Sequence, residues 1–518
     1  MPSVAIWEST QSEKTEPSLR ARLDALLLGL ALCAVPISIA VTESFLAIAV
    51  LARIIAIARG RANLFLPRVF WFWLLWAACE IASWLHSPEI RRGLGEIRHL
   101  LLLAILFLTL PAIDRAEERV MVWRAIFLTA TLGSASLIVA FVARMVRYRH
   151  EIAIASDPSF YVRTGGLLHH WMVYATVEVL VFGALLEYWH FYPEHRRWIV
   201  PVLAINCLAI VLSLTRMLWL CCLLLAGAHL LRVRSRWIWG LPVLPLLVFS
   251  LAPWCVKSRI TESLQPGYYS NAERLQMLRV GWAMVVERPL TGIGAGRVEK
   301  LYTRYLSPGE AAPAYHGHLH NNVLQLAAQF GLSVIAAAAL FLTILIKDIR
   351  RAYRCAPDRE ARFLSRASLA GVIGFLTAGL VEYTYGHSLG LILLSFAALS
   401  PLMPEVAPGA GSRRRNGRSI APSSVEVWPT KGRRIYKYES IAEWLSSMRM
   451  SSLRLWQSTF QYERSTPGTS EPEALQRNGK SYQDIWKECL QLRQELFSHL
   501  LFHDTLENSN LTISSRVV

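Results

Sequence analysis

Residues 202–227, VLAINCLAIVLSLTRMLWLCCLLLAG, place two apolar runs side by side, with only the short polar sequence around Arg216 between them. Neither run alternates apolar with polar residues, as the strands of a transmembrane barrel do. Each run comes close to the length of about 17–25 residues that a helix needs to cross the hydrocarbon core of a bilayer. The stretch therefore predicts a helical hairpin in a membrane, with Arg216 at its tip.

Comparable apolar runs fill the chain up to about residue 404. Of the 518 residues, 53% are apolar and only 18% are charged, whereas a soluble domain carries roughly 25% charged residues. This composition excludes a soluble enzyme, a disulfide-stapled secreted domain and a disordered chain. We expect an all-α polytopic membrane protein with about twelve transmembrane helices. The predicted spans lie near 22–41, 43–58, 69–85, 99–113, 119–143, 171–189, 198–215, 216–231, 237–255, 321–346, 364–382 and 387–403.

Polar segments divide the chain into three parts. Residues 1–21 form a polar N-terminal tail, residues 22–403 form the membrane domain, and residues 404–518 form a polar tail of unknown role. Lys and Arg gather in the loops that a cytoplasmic N-terminus would place inside the cell, and an even number of spans returns the C-terminal tail to the cytoplasm. The longest hydrophilic segment of the membrane domain, residues 256–320, then lies on the outer side.

The chain is strongly basic, with 54 Lys and Arg against 37 Asp and Glu and a net charge of +17. In a soluble protein this balance would suggest a nucleic-acid partner. Here topology-setting loops account for part of the charge. The outer segments 86–98, 144–168 and 256–320 are nevertheless rich in Arg. Two explanations stay open for them: contact with lipid headgroups, or an anionic substrate held at the outer face.

The segment 256–320 contains a helical pattern followed by a glycine-rich turn. The sequence SNAERLQMLRVGWAMVVERPL predicts a helix that starts at Ser270, where Ser270 and Glu273 form a capping-box pattern. Arg274 would then lie in the first turn, where the helix dipole attracts phosphate, although an incidental Arg on a solvated face is the alternative. TGIGAGR at 291–297 lacks the context of a nucleotide-binding loop and predicts a tight turn with close backbone approach.

Three histidines alternate in AYHGHLHNN, at His316, His318 and His320, just ahead of an apolar helix that begins near Val323. The alternation would set three imidazoles on one face of an extended segment, as a metal site requires. No carboxylate or Cys lies nearby at ligand spacing. A second interpretation is a neutral imidazole at a helix N-terminus, suited to act as a general base. A third is a histidine that only forms hydrogen bonds at the membrane boundary.

Three acidic residues fall within predicted spans, namely Glu80, Glu178 and Glu382. A charge at that depth is costly and is normally paired or functional. We expect these carboxylates to pair with buried Arg side chains, or to relay protons if the protein is a transporter.

These motifs, in this order, resemble the O-antigen ligase and polymerase superfamily of integral-membrane glycosyltransferases. The resemblance covers roughly residues 22–403, most specifically 213–332. It implies a GT-C-like helical fold, a glycan donor linked to undecaprenyl diphosphate, and an active site on the periplasmic face of the bacterial inner membrane. It is carried by Ser213-Leu-Thr-Arg216 between two spans, Glu273-Arg274 at a helix start, Glu287-Arg-Pro-Leu-Thr-Gly-Ile-Gly-Ala-Gly296, and His320-Asn321-Asn entering the next helix.

The resemblance also implies roles for individual residues. Arg216 and Arg274 match arginines that bind the lipid diphosphate, and His320 matches the histidine that acts as base for the acceptor hydroxyl. It implies neither a metal nor another cofactor. Further candidates for the substrate-binding site are Arg163, Arg98, Asn321 and His318.

Three acceptors fit the same chemistry: lipid A–core for a ligase, another lipid-linked repeat unit for a polymerase, and a protein hydroxyl for an O-oligosaccharyltransferase. We favour the ligase, because the outer segment is compact and no separate domain for an acceptor protein is evident. A secondary transporter is the alternative from a different class. It would show two related halves with broken spans near the midplane, and the sequence has no internal repeat of that kind.

Overall fold

Helices provide the secondary structure of residues 23–150, 161–313 and 316–404, the part of the chain that the computed structural model describes, and no strand occurs in these residues. The predicted tails, 1–21 and all but the first residue of 404–518, lie outside the described residues. The α-helices are α1 (Leu23–Ala34), α2 (Ile39–Ala58), α3 (Arg68–Leu85), α4 (Arg98–Thr109), α5 (Ala116–His150), α6 (Trp171–Phe191), α7 (Arg196–Leu212), α8 (Arg216–Arg232), α9 (Val243–Leu251), α10 (Trp254–Leu264), α11 (Tyr269–Glu287), α12 (Val298–Leu301), α13 (Asn322–Phe330), α14 (Leu332–Arg354), α15 (Arg359–Gly379) and α16 (Ser388–Leu399).

Several of these helices have the length and composition of membrane spans. Within the described residues, five segments are long and apolar enough to cross a membrane: Ile39–Ala58, Ala116–Arg147, Trp171–Phe191, Pro193–Leu212 and Leu332–Arg354. Three shorter apolar segments accompany them: Leu23–Ala34, Arg98–Ala112 and Ser388–Leu402. The prediction of an all-helical membrane protein is confirmed, whereas the number of twelve spans stays a prediction.

Two predicted spans are broken by backbone constraints. The run predicted over 22–41 divides at Pro36, whose missing N–H ends α1 before α2 begins. The run predicted over 321–346 divides into α13 and α14 at Gly331. Gly331 has a φ of 89°, a left-handed conformation that residues with a Cβ seldom adopt. The hydropathy pattern located both runs but not the turns inside them.

The charge inside α2 is neutralised by a neighbouring helix. Arg53 is only 5% exposed, and it donates to the Asp24 carboxylate of α1 at 3.0 Å and to the Asn63 carbonyl at 3.1 Å. A buried guanidinium is tolerated when it is paired and hydrogen-bonded in this way. The second predicted span therefore forms despite its arginine.

The large hydrophobic core is arranged around α6. In the most apolar stretch of this helix, 83% of the residues are buried inside the protein. The corresponding share is 22–39% in the other candidate spans. It packs against α15, α8 and α16, while α14 packs against α3 and α15. One end of the bundle contains the starts of α6, α8 and α14 and the ends of α7 and α15. The loops at this end therefore bring distant parts of the sequence together.

The segment predicted to lie outside the membrane builds a second, smaller core. It joins one face of α11 to the glycine-rich turn and to α13, through Met277, Val280, Met284, Val285, Ile293, Val298, Tyr302, Leu319, Ala327 and Ala328. The turn 291–297 makes the close backbone approach that its glycines predict. The Ile293 amide donates to the Ala328 carbonyl at 2.8 Å, and the Gly294 amide donates to the Gln329 carbonyl at 3.1 Å.

Replacing Gly292 with Ala should destabilise the fold. Gly292 has a φ of 64°, and an added Cβ would lie 2.4 Å from the carbonyl carbon and oxygen of Gln329. The left-handed backbone costs a residue with a Cβ about 1–2 kcal/mol, and crowding typically adds about 1–3 kcal/mol. We expect a clearly lowered melting temperature for the detergent-solubilised protein.

Gly309→Ala is the matched control for this prediction. Gly309 has a φ of 84°, but no heavy atom lies within 4 Å of an added Cβ. It therefore incurs the backbone cost without the crowding. Equal melting temperatures for the two variants would contradict the close approach at Gly292.

Candidate functional site

A buried carboxylate, Glu382, organises the loops at the end of the bundle where α15 finishes. Glu382 is only 1% exposed. One carboxylate oxygen receives a short hydrogen bond from His320 Nδ1, and the other receives Arg274 Nη2 at 3.2 Å. The carboxylate thus joins a histidine ahead of α13 to an arginine of α11.

Two asparagines hold the His320 segment against the loop that carries Glu382. Asn321 caps α13 by accepting from the Leu324 amide at 2.9 Å, and its Nδ2 donates to the Leu380 carbonyl at 2.8 Å. The buried Asn322 side chain donates to Thr384 Oγ1 at 2.7 Å and accepts from the Thr384 amide at 2.8 Å. His320 itself has a φ of 47°, a region that Asn, Asp and His enter more readily than other residues.

The pairing with Glu382 determines the state of the His320 ring. A carboxylate only accepts hydrogen bonds, so the contact requires the proton on Nδ1 and leaves Nε2 of the neutral ring with a lone pair. Burial by itself raises the pKa of Glu382, but the hydrogen bond from His320 and the electrostatic attraction of His320 and Arg274 outweigh burial and lower this pKa to about 2. The carboxylate is therefore ionised at neutral pH.

Four arginines from separate segments surround the same end of the bundle, and we call them the arginine cluster: Arg163, Arg216, Arg259 and Arg274. Burial, followed by the positive charges of Arg259 and Arg274, lowers the pKa of Arg163 to about 9. Arg216 acts on Arg163 in the same direction, and Glu382 acts against it. The positive charges of the other three guanidiniums thus reach Arg163, which places the four arginines in one electrostatic environment.

The members of the arginine cluster are positioned by polar and aromatic neighbours. Arg163 lies over the Trp171 ring, 4.6 Å from its centroid, with its Nε buried and without a hydrogen-bond partner among the described residues. Arg259 is 6% exposed and donates to Glu262 at 2.9 Å. These contacts hold the guanidiniums in place and leave positive charge in excess over the carboxylates.

Arg216 begins α8 at the tip of the hairpin, as the two apolar runs predict. Its Nη1 donates to Asn271 Oδ1 at 2.6 Å, and its Nη2 donates to Ser270 Oγ at 2.9 Å. The predicted capping box is wrong. The helix α11 begins at Tyr269, the side chain of Tyr268 does not cap it, and the Ser270 hydroxyl accepts a hydrogen bond from Arg216 instead.

Arg274 consequently lies beyond the first turn of α11, and the helix dipole does not explain its position. Its side chain is 29% exposed and remains paired with Glu382. Glu382 therefore pairs with an Arg, as expected, but this Arg is only partly buried. The other two acidic residues of predicted spans behave differently: Glu80 pairs with His99 at 3.0 Å, and Glu178 is 1% exposed, with no hydrogen-bond partner for its Oε1 among the described residues.

The alternating histidines do not share one face, so the three-imidazole metal site is wrong. His316 Nδ1 lies 2.8 Å from the Pro313 carbonyl and its ring lies 5.0 Å from Tyr302. His318 instead lies against His320, with ring centroids 4.3 Å apart. Burial, then the positive charge of His320, lowers the pKa of His318 to about 3, so this ring is neutral at pH 7.

His318, His320 and Glu382 do offer donor atoms within 4.8 Å of one another, the spacing of a possible metal site. Arg274 already occupies one oxygen of the carboxylate, and its positive charge opposes a further cation at this distance. The group fits a hydrogen-bonded proton acceptor better than a set of metal ligands.

Arg98 and Asn321, two of the predicted substrate-binding residues, bind backbone carbonyls of the loop that carries Glu382. Arg98 Nη2 donates to the Gly386 carbonyl at 3.2 Å, and both ends of the Asn321 amide are engaged within the protein. We interpret Asn321 as a residue that positions the loop. Sequence reasoning did not single out Arg259 or Asn322 as site residues, because neither stands out from the polar residues around it.

One comparison with known proteins bears on this site. A family model described as O-antigen ligase matches residues 201–339, just over a quarter of the chain. The matched segment contains Arg216, Arg274 and His320, whereas Glu382 and Arg163 lie outside it. No curated protein matches the chain.

The helical fold is that of a multi-pass membrane protein, and residues 201–339 are similar to O-antigen ligases. Within that class, the match confirms the resemblance to the O-antigen ligase and polymerase superfamily.

The ionised state of Glu382 predicts a pH dependence of stability. Its pKa is about 2 in the folded protein against about 4.3 in an unfolded chain. A lowered pKa contributes stability that is present above the unfolded value and is lost as the pH falls through the folded value. We therefore expect the melting temperature of the wild type to fall between pH 5 and pH 3 more steeply than that of Glu382→Gln.

The comparison isolates one carboxyl group, because every other acidic residue is present in both proteins. Glu382→Gln should also melt lower than the wild type at pH 7, since it leaves Arg274 and His320 without their anionic partner. Parallel pH profiles for the two proteins would contradict the lowered pKa.

Proposed function

We propose that this protein is an inverting, metal-independent glycosyltransferase. It moves O-antigen polysaccharide from undecaprenyl diphosphate to lipid A–core at the periplasmic face of the bacterial inner membrane. The observation that supports the proposal most directly is the joining of His320 and Arg274 through one buried carboxylate, Glu382, beside the arginine cluster.

The arginine cluster suits a diphosphate leaving group. A glycosyl diphosphate reacts faster when the negative charge that develops on the departing diphosphate is stabilised. Guanidiniums pair bidentately with phosphate oxygens and keep their charge over the whole physiological pH range. Arg216 and Arg274 are the proposed direct contacts, and Arg163 and Arg259 increase the positive potential around them. The removal of one such donor typically costs about 10²–10³ in rate.

His320 suits the role of general base. Its Nδ1 is held by Glu382, so Nε2 is the atom that can take a proton from an acceptor hydroxyl. Glu382 fixes the tautomer and the orientation of the ring, and its negative charge stabilises the imidazolium that forms. The carboxylate is a positioning group in this mechanism, because its oxygens face His320 and Arg274.

The reaction balances with these groups alone. The hydroxyl oxygen of the acceptor attacks the anomeric carbon of the donor as its proton passes to His320 Nε2. The bond between the anomeric carbon and the diphosphate oxygen breaks, and undecaprenyl diphosphate leaves with the electron pair. Attack opposite to the leaving group inverts the anomeric configuration. Four guanidiniums supply positive charge that a divalent cation would otherwise provide.

His320→Ala should lower transfer by about 10²–10⁴ while leaving donor binding intact. The measurement is glycan transfer from purified undecaprenyl-diphosphate-linked glycan in detergent, with donor affinity measured separately on the same preparation. His316→Ala is the matched control, because His316 lies in the same segment and contacts Pro313 and Tyr302 instead of Glu382.

In contrast to His320→Ala, the variant Arg216→Gln should weaken the binding of the donor. Full transfer activity in His320→Ala would overturn the assignment of the base. Equal losses of activity in His316→Ala and His320→Ala would show that the segment as a whole is needed, and would remove the support for a specific proton acceptor.

The acceptor is tested by offering three molecules to the same enzyme and donor: purified lipid A–core, a second lipid-linked repeat unit, and a pilin-like protein. We expect transfer to lipid A–core. Transfer only to the repeat unit would make the protein a polymerase, and transfer only to the protein would make it an O-oligosaccharyltransferase. Transport of the lipid-linked glycan into vesicles without any transfer would contradict the glycosyltransferase proposal itself.

A further inference from the structure

A second cationic site lies at the end of the bundle opposite to Glu382. The helix α14 starts beside the Glu382 loops and runs for 23 residues before it ends at Arg354, a length of about 35 Å. Between its last turns and the first turns of α15 is a cavity of about 270 Å³. The cavity is lined by Ile349, Arg350, Tyr353, Arg354, Ser365, Arg366 and Leu369.

The carboxylates near this cavity are too few for its arginines. Glu187 accepts from Arg232 Nη2 at 2.6 Å and from Arg366 Nη2 at 3.4 Å, so one carboxylate serves two guanidiniums. Arg350 and Arg354 have no ion pair within the part of the chain that the structure describes. The cavity wall therefore carries a surplus of positive charge.

A buried donor on this wall also lacks a partner. The Nε of Arg366 is inaccessible to solvent and makes no hydrogen bond to any described residue. A buried donor without an acceptor costs roughly 1–3 kcal/mol, and a guanidinium prefers the oxygens of phosphate or carboxylate. The surplus of positive charge on the cavity wall, which includes an arginine whose hydrogen bonds are incomplete, favours an anionic ligand.

Apolar side chains also line the cavity, which makes it amphipathic. Ile349 is fully buried, and Leu369 lies one turn beyond Arg366 on α15. Farther along the two helices, Leu340 of α14 is 41% exposed, and Ile373 of α15, two turns beyond Arg366, is 44% exposed. Since α14 is a candidate membrane span, these side chains lie at the depth of acyl chains and the arginines lie near the membrane surface.

We propose that this cavity binds the headgroup of an anionic phospholipid from the leaflet that it faces. The phosphate is bound by Arg350, Arg354 and Arg366, and the acyl chains run along the exposed apolar faces of α14 and α15. Basic pockets between transmembrane helices bind anionic lipid headgroups in this way. A free phosphate would satisfy the guanidiniums alone, whereas a lipid also covers the apolar stripe.

The test measures binding of fluorescent phosphatidylglycerol to the full-length protein in a neutral detergent, with phosphatidylcholine as the uncharged reference. Wild-type protein should prefer phosphatidylglycerol. The double variant Arg350→Gln/Arg354→Gln should raise the Kd for phosphatidylglycerol at least tenfold. Both side chains are exposed, so the variant is expected to keep the melting temperature of the wild type.

The matched control is Arg196→Gln/Arg197→Gln. These two exposed arginines start α7 at the same end of the bundle but do not line the cavity. An equal loss of binding in both double variants would reduce the effect to general surface charge and overturn the proposal. Displacement of the lipid by millimolar inorganic phosphate would assign the cavity to a soluble anion. Equal affinity for the two lipids would also contradict a specific headgroup site.

Discussion

A buried carboxylate has to be matched by donors, and at Glu382 this requirement determines how distant parts of the chain meet. Its partners, His320 and Arg274, are 62 and 108 residues away along the sequence. An ion removed from water without such partners costs several kcal/mol. The end of α15, the start of α13 and the helix α11 therefore have to converge, and the bonds between Asn322 and Thr384 secure the contact. The break at Gly331 contributes to this convergence, because it allows α13 to run in a different direction from α14.

The arginine cluster is held together against its own repulsion. Burial is the largest cause of the lowered pKa of Arg163, and the charges of the neighbouring guanidiniums lower it further. An arrangement of this kind makes the folded protein less stable and makes the binding of an anion more favourable by the same interactions. Proteins commonly accept such costs at functional sites. The cluster is hard to explain as a stabilising feature of the bundle, and it is easy to explain as a site that a polyanionic substrate completes.

Sequence patterns predicted the features of this site that are determined by residues close together in the sequence. The two apolar runs placed Arg216 at the tip of a hairpin, and the glycines of 291–297 predicted a close backbone approach. The capping box failed because tertiary contact overrode it: the Ser270 hydroxyl accepts from Arg216, on another helix, instead of capping its own. Arg259 was beyond reach for a different reason. In the sequence it is one of several basic residues in a polar segment, and only the fold distinguishes it as buried beside Arg163.

Both ends of the bundle hold arginines in excess, so positive charge alone does not define the site of reaction. The difference lies in what accompanies the guanidiniums. At the Glu382 end, His320 is hydrogen-bonded through one nitrogen and retains a second nitrogen for proton transfer. At the opposite end, His229 is buried against Glu187 at 3.3 Å and does not line the cavity. An anion bound there meets charge without a proton acceptor and is held unchanged. The glycan transfer that we propose needs a proton acceptor beside the guanidiniums, and His320 and Arg274 lie side by side through their shared partner Glu382.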